Sequence, residues 1–235
     1  FLAFGLLMTI GSSFGQTYFI ALFSHSIRSE LTITHGEFGL LYSLATLTSG
    51  VALIWLGRKI DDINLQSFCI IVTLSLATSC LIMFLASNIY ILILALFCLR
   101  ITGQGLMCHA ASTSMARYFT NKRGLALSIS SAGLPIGEAI FPFITVFLMT
   151  VFYWRDVWLL FGVLVAFVFT SLIGVTLKGH KKRHALHLSN TKKVEGRTKS
   201  RHQWSISKVI REHQFYQICL VAITPAFILT GLFFH

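Results

Sequence analysis

The sequence predicts an all-α fold, a polytopic bundle of membrane-spanning helices. Three observations predict it. Of 235 residues, 55% are hydrophobic and only 11% are charged, whereas a soluble domain usually carries about 25% charged residues. Uncharged windows recur at spanning length, and a helix needs about 20 such residues to cross a bilayer. The basic residues collect in alternate loops. Seven such windows exceed what one soluble core could enclose in so short a chain.

The first window, Phe1 to Ser24, predicts span one at about 1–24. Its interior is polar: Gly11, Ser12, Ser13, Gly15, Gln16, Thr17 and Tyr18 crowd together. Such a patch marks a cavity face. Gln16 and Tyr18 can hydrogen-bond a solute, while Gly11 and Gly15 suit close helix packing. Phe38 to Gly57 predicts span two at 37–57. Ile63 to Leu99 breaks at Ser87-Asn88, predicting span three at 65–87 and span four at 89–115. Gly124 to Trp154 holds one charge, Glu138, and predicts span five at 124–151. Val157 to Leu177 and Gln214 to Phe234 predict span six at 157–177 and span seven at 214–234.

Three segments follow: a six-helix bundle over 1–177, a basic linker over 178–213, and the seventh span over 214–235. The linker carries Lys181-Lys182-Arg183 and Lys192-Lys193 and almost nothing apolar before Trp204, the composition of a flexible segment. Ile206, Val209 and Ile210 share a helical face. They predict a short amphipathic helix near 203–213, lying on the membrane surface. The chain opens inside a helix, without an initiator Met or a signal peptide, and closes at the end of span seven. An odd helix count with two abrupt ends reads as a truncated longer protein.

Charge sets the orientation. Loops 57–64, 116–123 and 178–213 hold sixteen Lys and Arg, against Arg28 and Arg155 in the opposite loops. That excess places the linker in the cytoplasm and the bundle in the cell membrane. The net charge of +11 is therefore a topology signal, not a sign of nucleic-acid binding. All five cysteines fall within proposed spans, where they act as small hydrophobes. No metal box, phosphate-cradling loop or catalytic triad appears, so no metal, cofactor or enzyme activity is expected.

Two deep charges stand out. Arg100 lies about 16 Å from one end of span four and Glu138 about 20 Å from the matching end of span five, at 1.5 Å per residue. Both are near mid-membrane, where a charge is costly and seldom idle. They are expected to meet, or to share a solute.

The loops and helices carry motifs. Gly57-Arg58-Lys59-Ile60-Asp61-Asp62 joins spans two and three. Gly there suits a tight turn, and a carboxylate can cap a helix or pair with a base. Span four reads Leu99-Arg100-Ile101-Thr102-Gly103-Gln104-Gly105. Span five reads Gly133-Leu134-Pro135-Ile136-Gly137-Glu138, then Pro142. Its two prolines remove backbone donors, and its glycines permit tight packing, which suits a helix that bends.

Together these resemble the signatures of the major facilitator transporters. The run from Gly57 resembles the family's loop motif, with Asp62 where arginine is usual. The run in span four is similar to its arginine-glycine signature. The run in span five resembles its Gly- and Pro-rich fifth helix, with Glu138 as a departure. The loop Ala116 to Ala126 is similar to that of monocarboxylate-porter-like and oxalate/formate-exchanger-like members. The resemblance implies half of such a transporter plus the first helix of its second half, the rest of that half being the missing partner. It implies alternating access about a midplane site, a gating loop at Gly57, Arg58, Asp61 and Asp62, and flexing or packing at Gly103, Gly105, Gly133, Pro135 and Gly137. Arg100, Glu138, Gln16 and Tyr18 are then the expected solute or coupling residues. A small organic anion, with a proton, is the expected solute. Efflux of hydrophobic or cationic compounds and a non-transporting receptor or scaffold are the alternatives.

Overall fold

A computed structural model describes residues 1–119, 121–180, 184–185 and 206–234. Every element among the described residues is a helix. Six are long and apolar enough to cross a membrane: His35–Asp62, Leu65–Phe84, Ile89–Tyr118, Arg123–Val151, Trp154–Thr176 and His213–Phe233. The pair Leu2–Leu22 and Ser24–Leu31, bent by 63°, makes a seventh when read as one span. The chain is therefore an all-α polytopic membrane helix bundle. It divides into two compact units, Phe1–His180 and Lys181–His235.

Local chemistry starts the helices where the charge-free windows begin. Thr34 and Glu37 form a capping box at the head of span two: the Glu37 amide donates to Thr34 Oγ1 at 3.2 Å, and the Thr34 amide to Glu37 Oε2 at 2.7 Å. Each satisfies an amide that the helix leaves without a partner. Asn64 accepts from the Gln66 amide and Asn88 from the Ile91 amide, opening spans three and four. Span five pauses at Ala132 and resumes at Gly133. Pro135 thus falls in a first helical turn, where its missing N–H is tolerated. Pro142 sits inside the helix Gly133–Val151.

In the first unit, span one packs against spans four, five and six, and span four against spans one, two and three and, through Cys108–Tyr118, against the start of span five. Small residues bring span one against span five. A Cβ on Gly133 would lie 2.6 Å from the Leu6 carbonyl oxygen, and one on Gly5 2.7 Å from Ser130 Oγ. Aromatic rings fill the space between spans one, five and six: Phe14, Phe19, Phe23, Phe141, Trp158 and Phe161, with neighbouring centroids as close as 4.8 Å. Ring contacts of this kind add about 0.5–1.5 kcal/mol each beyond their buried area.

Span one's first limb, Leu2–Leu22, ends close to the expected 24; helix resumes at Ser24 and runs to Leu31 after a 63° bend, where His25, Arg28 and Glu30 form no apolar stretch that hydrocarbon accepts. Two expectations need correction. Span one is not continuous; it breaks at Gln16. Gly57 makes no glycine-only turn: its φ of −62° is helical, and Lys59–Asp62 forms one further helical turn. A Cβ there would lie 2.8 Å from the Leu53 carbonyl oxygen and at ordinary contact distance, 3.4 Å, from His109 Nε2.

The second unit holds helix Ile206–Arg211 and the seventh span. The first of these lies within the amphipathic stretch read from sequence; its expected start at 203–205 and most of the linker lie outside the described residues.

Candidate functional site

The site is built around the interruption in span one. Ser12–Gly15 tightens into a 3₁₀ turn, Gln16 turns extended at φ −80° and ψ 154°, and a new helix starts at Thr17. The break falls inside the polar patch. Extended backbone at Gln16 interrupts the helical ladder, so the Gly15 carbonyl can serve a partner outside its own helix.

Span four is that partner. Its backbone touches that of span one: a Cβ on Gly15 would lie 2.7 Å from the Gln104 nitrogen, and one on Gly103 2.8 Å from both Gly15 N and Cα. Neither glycine could carry a side chain without one backbone moving. Gly105 is looser, with a notional Cβ 3.2 Å from a Leu53 methyl. Over this contact span four widens into a π-helix, Arg100–Met107, a form concentrated at functional sites.

Arg100 opens the π segment and is only 5% exposed. Its Nη1 donates to the Gly15 carbonyl at 3.0 Å and to Thr17 Oγ1 at 3.4 Å. The guanidinium lies over the Tyr42 ring, 5.1 Å from the centroid, and the Tyr42 hydroxyl donates to Thr17 Oγ1 at 2.8 Å. Spans one, two and four thus converge on one cation. Among the described residues its buried Nε has no hydrogen-bond partner and no carboxylate pairs with the guanidinium.

Glu138 does not reach Arg100. It is exposed on span five and forms no ion pair among the described residues. It comes within electrostatic reach of Tyr18 on span one. Next to it, a Cβ on Gly137 would lie 3.3 Å from the Tyr18 hydroxyl. The expected direct meeting of the two charges is not seen, and the reason is geometric. Span one packs against both spans four and five, and its break offers Arg100 a carbonyl at hydrogen-bond distance.

The other expected residues fall as follows. The Gln16 amide donates to Ser12 Oγ at 3.4 Å and lies 3.9 Å from Cys108 Sγ. Tyr18 is buried. In the loop, Asp61 pairs with Arg117 from the end of span four, and Asp62 with Lys59 at 3.5 Å. Arg58 is exposed. His109 Nε2 lies 3.0 Å from the Gly57 carbonyl oxygen, tying spans two and four at the same end.

Sequence reasoning set Gly15 and Thr17 in the polar patch without joining them to Arg100, and it missed Tyr42, the one tyrosine of span two. It also missed Glu30 as the acceptor that gathers Tyr153, Trp154 and Arg155 at the opposite end. There Glu30 accepts from the Tyr153 hydroxyl, from Trp154 Nε1 at 2.7 Å and from Arg155 Nη2 at 2.6 Å. Arg155 also donates to the Phe84 carbonyl at 3.2 Å and lies over the Trp154 ring. Burial alone would raise the Glu30 carboxyl pKa; hydrogen bonds from Tyr153, Arg155 and Trp154 outweigh it and hold the group below its ordinary value. The same bond to Glu30 raises the Tyr153 hydroxyl. A shallow cleft of about 400 Å³ beside the cluster is lined by His25, Ser29, Glu30, Met149 and Phe152.

Discontinuous spans recur at the midplane sites of secondary transporters. A family model described as the Major Facilitator Superfamily matches residues 5–235, and the chain belongs to that superfamily. Comparison with curated proteins gave no match, and comparison with solved structures gave none. Membership makes the chain a multi-pass integral membrane protein of secondary-transporter type.

Proposed function

We propose that the protein moves a small organic anion, a monocarboxylate, across the cell membrane by alternating access, with Arg100 receiving the carboxylate. The observation that carries this reading is the guanidinium itself. Its Nη1 is hydrogen-bonded to span one, and its Nε is buried without a partner among the described residues. A carboxylate accepts two parallel N–H bonds from one edge of a guanidinium. It would also supply the counter-charge that a buried arginine otherwise lacks. The likeness of the Ala116 to Ala126 loop to monocarboxylate-porter-like and oxalate/formate-exchanger-like transporters agrees with it.

In this reading residues 1–177 rock as one half against a second half that begins with 214–235, and 178–213 is the cytoplasmic linker. Glu138 carries the coupled proton. Gln16 and Tyr18 flank the solute at the break. The Asp61–Arg117 pair and the adjoining Gly57, Arg58 and Asp62 hold the cytoplasmic end closed in one state. Gly103, Gly105, Gly133, Pro135 and Gly137 let the helices slide and flex.

A second reading has one observation in its favour. Glu138 is exposed and forms no ion pair among the described residues, so a hydrophobic cation could be drawn to it and expelled. Uptake by the intact protein in liposomes separates the two. Labelled lactate and pyruvate should enter, and Arg100→Gln should stop them. Transport of lipophilic cations alone, stopped by Glu138→Gln and untouched by Arg100→Gln, would favour the second reading.

A further inference from the structure

We infer that the solute is zwitterionic, with its carboxylate on Arg100 and a cationic group, an ammonium, on Glu138. This rests on the carboxylate reading at Arg100 above, and it gives Glu138 to the solute's cationic group in place of the coupled proton. Two charges of opposite sign sit at mid-depth in one helical unit, yet they do not neutralise each other. Arg100 is bound by a carbonyl, a hydroxyl and an aromatic face, and by no carboxylate among the described residues. Glu138 has no ion pair among the described residues.

Both approach the same short stretch of span one from neighbouring helices. Arg100 reaches Gly15 and Thr17; Glu138 lies within electrostatic reach of Tyr18, and its neighbour Gly137 packs against Ser13 and Tyr18. Glu138 does not belong to the lipid-suited side of span five. Ile136, Ile140, Phe143 and Phe147 form an exposed apolar stripe. Glu138 lies across the helix from that stripe, since at about 3.6 residues per turn it shares a side with the buried Thr145. An unpaired charge at this depth is costly. A direct Arg100–Glu138 pair would remove that cost, but span one packs between their helices and the pair is not formed. One solute carrying both complementary charges would satisfy the two groups together, across the break.

The test compares matched solutes on the intact protein in liposomes. Labelled ω-amino acids from glycine to 6-aminohexanoate are each set beside the carboxylic acid and the amine of equal chain length. The expected result is one chain length at which the amino acid is taken up about tenfold or more faster than its matched acid, the scale of one close charge pair. In Glu138→Gln that ratio should fall towards one, and in Glu138→Asp it should peak at a different chain length. If the wild-type protein takes up the acids as well as the amino acids, the zwitterion is overturned while the carboxylate on Arg100 stands. If the amines are preferred, or if no compound enters, both readings fail.

Discussion

Arg100 shows how one side chain can organise three helices. A buried guanidinium is tolerable only when its donors and charge are answered, and here a carbonyl freed by a broken helix, a threonine and a tyrosine ring give part of that answer. Lysine cannot reproduce it, because a compact ammonium has no planar edge for a carboxylate and stacks less well. Arg100→Lys should therefore keep the fold but lower carboxylate uptake on the order of 100-fold. Melting and initial-rate measurements on the same preparation check both halves of that statement; normal uptake would remove Arg100 from the solute site. At the other end, Glu30 gives a pH signature. Its carboxyl titrates lower in the folded chain than in the unfolded one. The cluster's stabilisation is thus complete above the unfolded value, about 4.3, and is lost as pH falls through the lower folded value. The melting-temperature gap between the wild type and Glu30→Gln should be widest near neutrality and close below about pH 4. A gap that is constant with pH would show that Glu30 acts by shape and not by charge. Arg100 was legible in the sequence because an arginine in an apolar run stands out. Glu30 was not, because an acid near the end of a span resembles any loop charge until Tyr153, Trp154 and Arg155 are seen to fold onto it.

Among the helices, span one and span four do the most to define the site, and each departs from regular α-helix where they touch. The contact depends on Gly15 and Gly103, where added Cβ atoms would meet backbone and not a yielding side chain. Gly103→Ala should lower stability by roughly 1–3 kcal/mol, with a matching loss of uptake. Gly105→Ala should cost less, because its Cβ would press only on a Leu53 methyl. Denaturation of the two variants side by side gives the comparison, and equal effects would contradict the crossing described here. The charge-free windows placed the helices well, since spanning length and hydropathy are properties of composition. The break at Gln16 left only an indirect trace. The polar run from Ser12 to Tyr18 marked an unusual segment, but its loss of helix depends on contact with span four, which no local pattern encodes. The same holds for Gly57: sequence marks the glycine, and only the fold shows that it needs no special backbone angle.

For the whole molecule, family membership and the helix count agree on a transporter, and the gathering of basic residues predicts an orientation. With 178–213 on the cytoplasmic side, a cysteine placed at Ser189 should escape a membrane-impermeant thiol reagent in intact cells and react once the cells are opened. Reaction in intact cells would invert the orientation read from the loops. The order of the motifs showed the superfamily in sequence, because each loop and glycine pattern recurs at a set place among the spans. The solute was not legible in the same way, because it depends on which donors remain unanswered once the helices pack. The central claim is that this protein is a carrier that takes a carboxylate at Arg100 and alternates access to it. Counterflow tests that most directly. Liposomes holding the intact protein are loaded with unlabelled carboxylate solute and diluted into a trace of the labelled form. A carrier should produce a transient overshoot of label inside, present in the wild type and absent from folded Arg100→Gln. Simple equilibration without overshoot, or an overshoot that survives Arg100→Gln unchanged, would contradict the account.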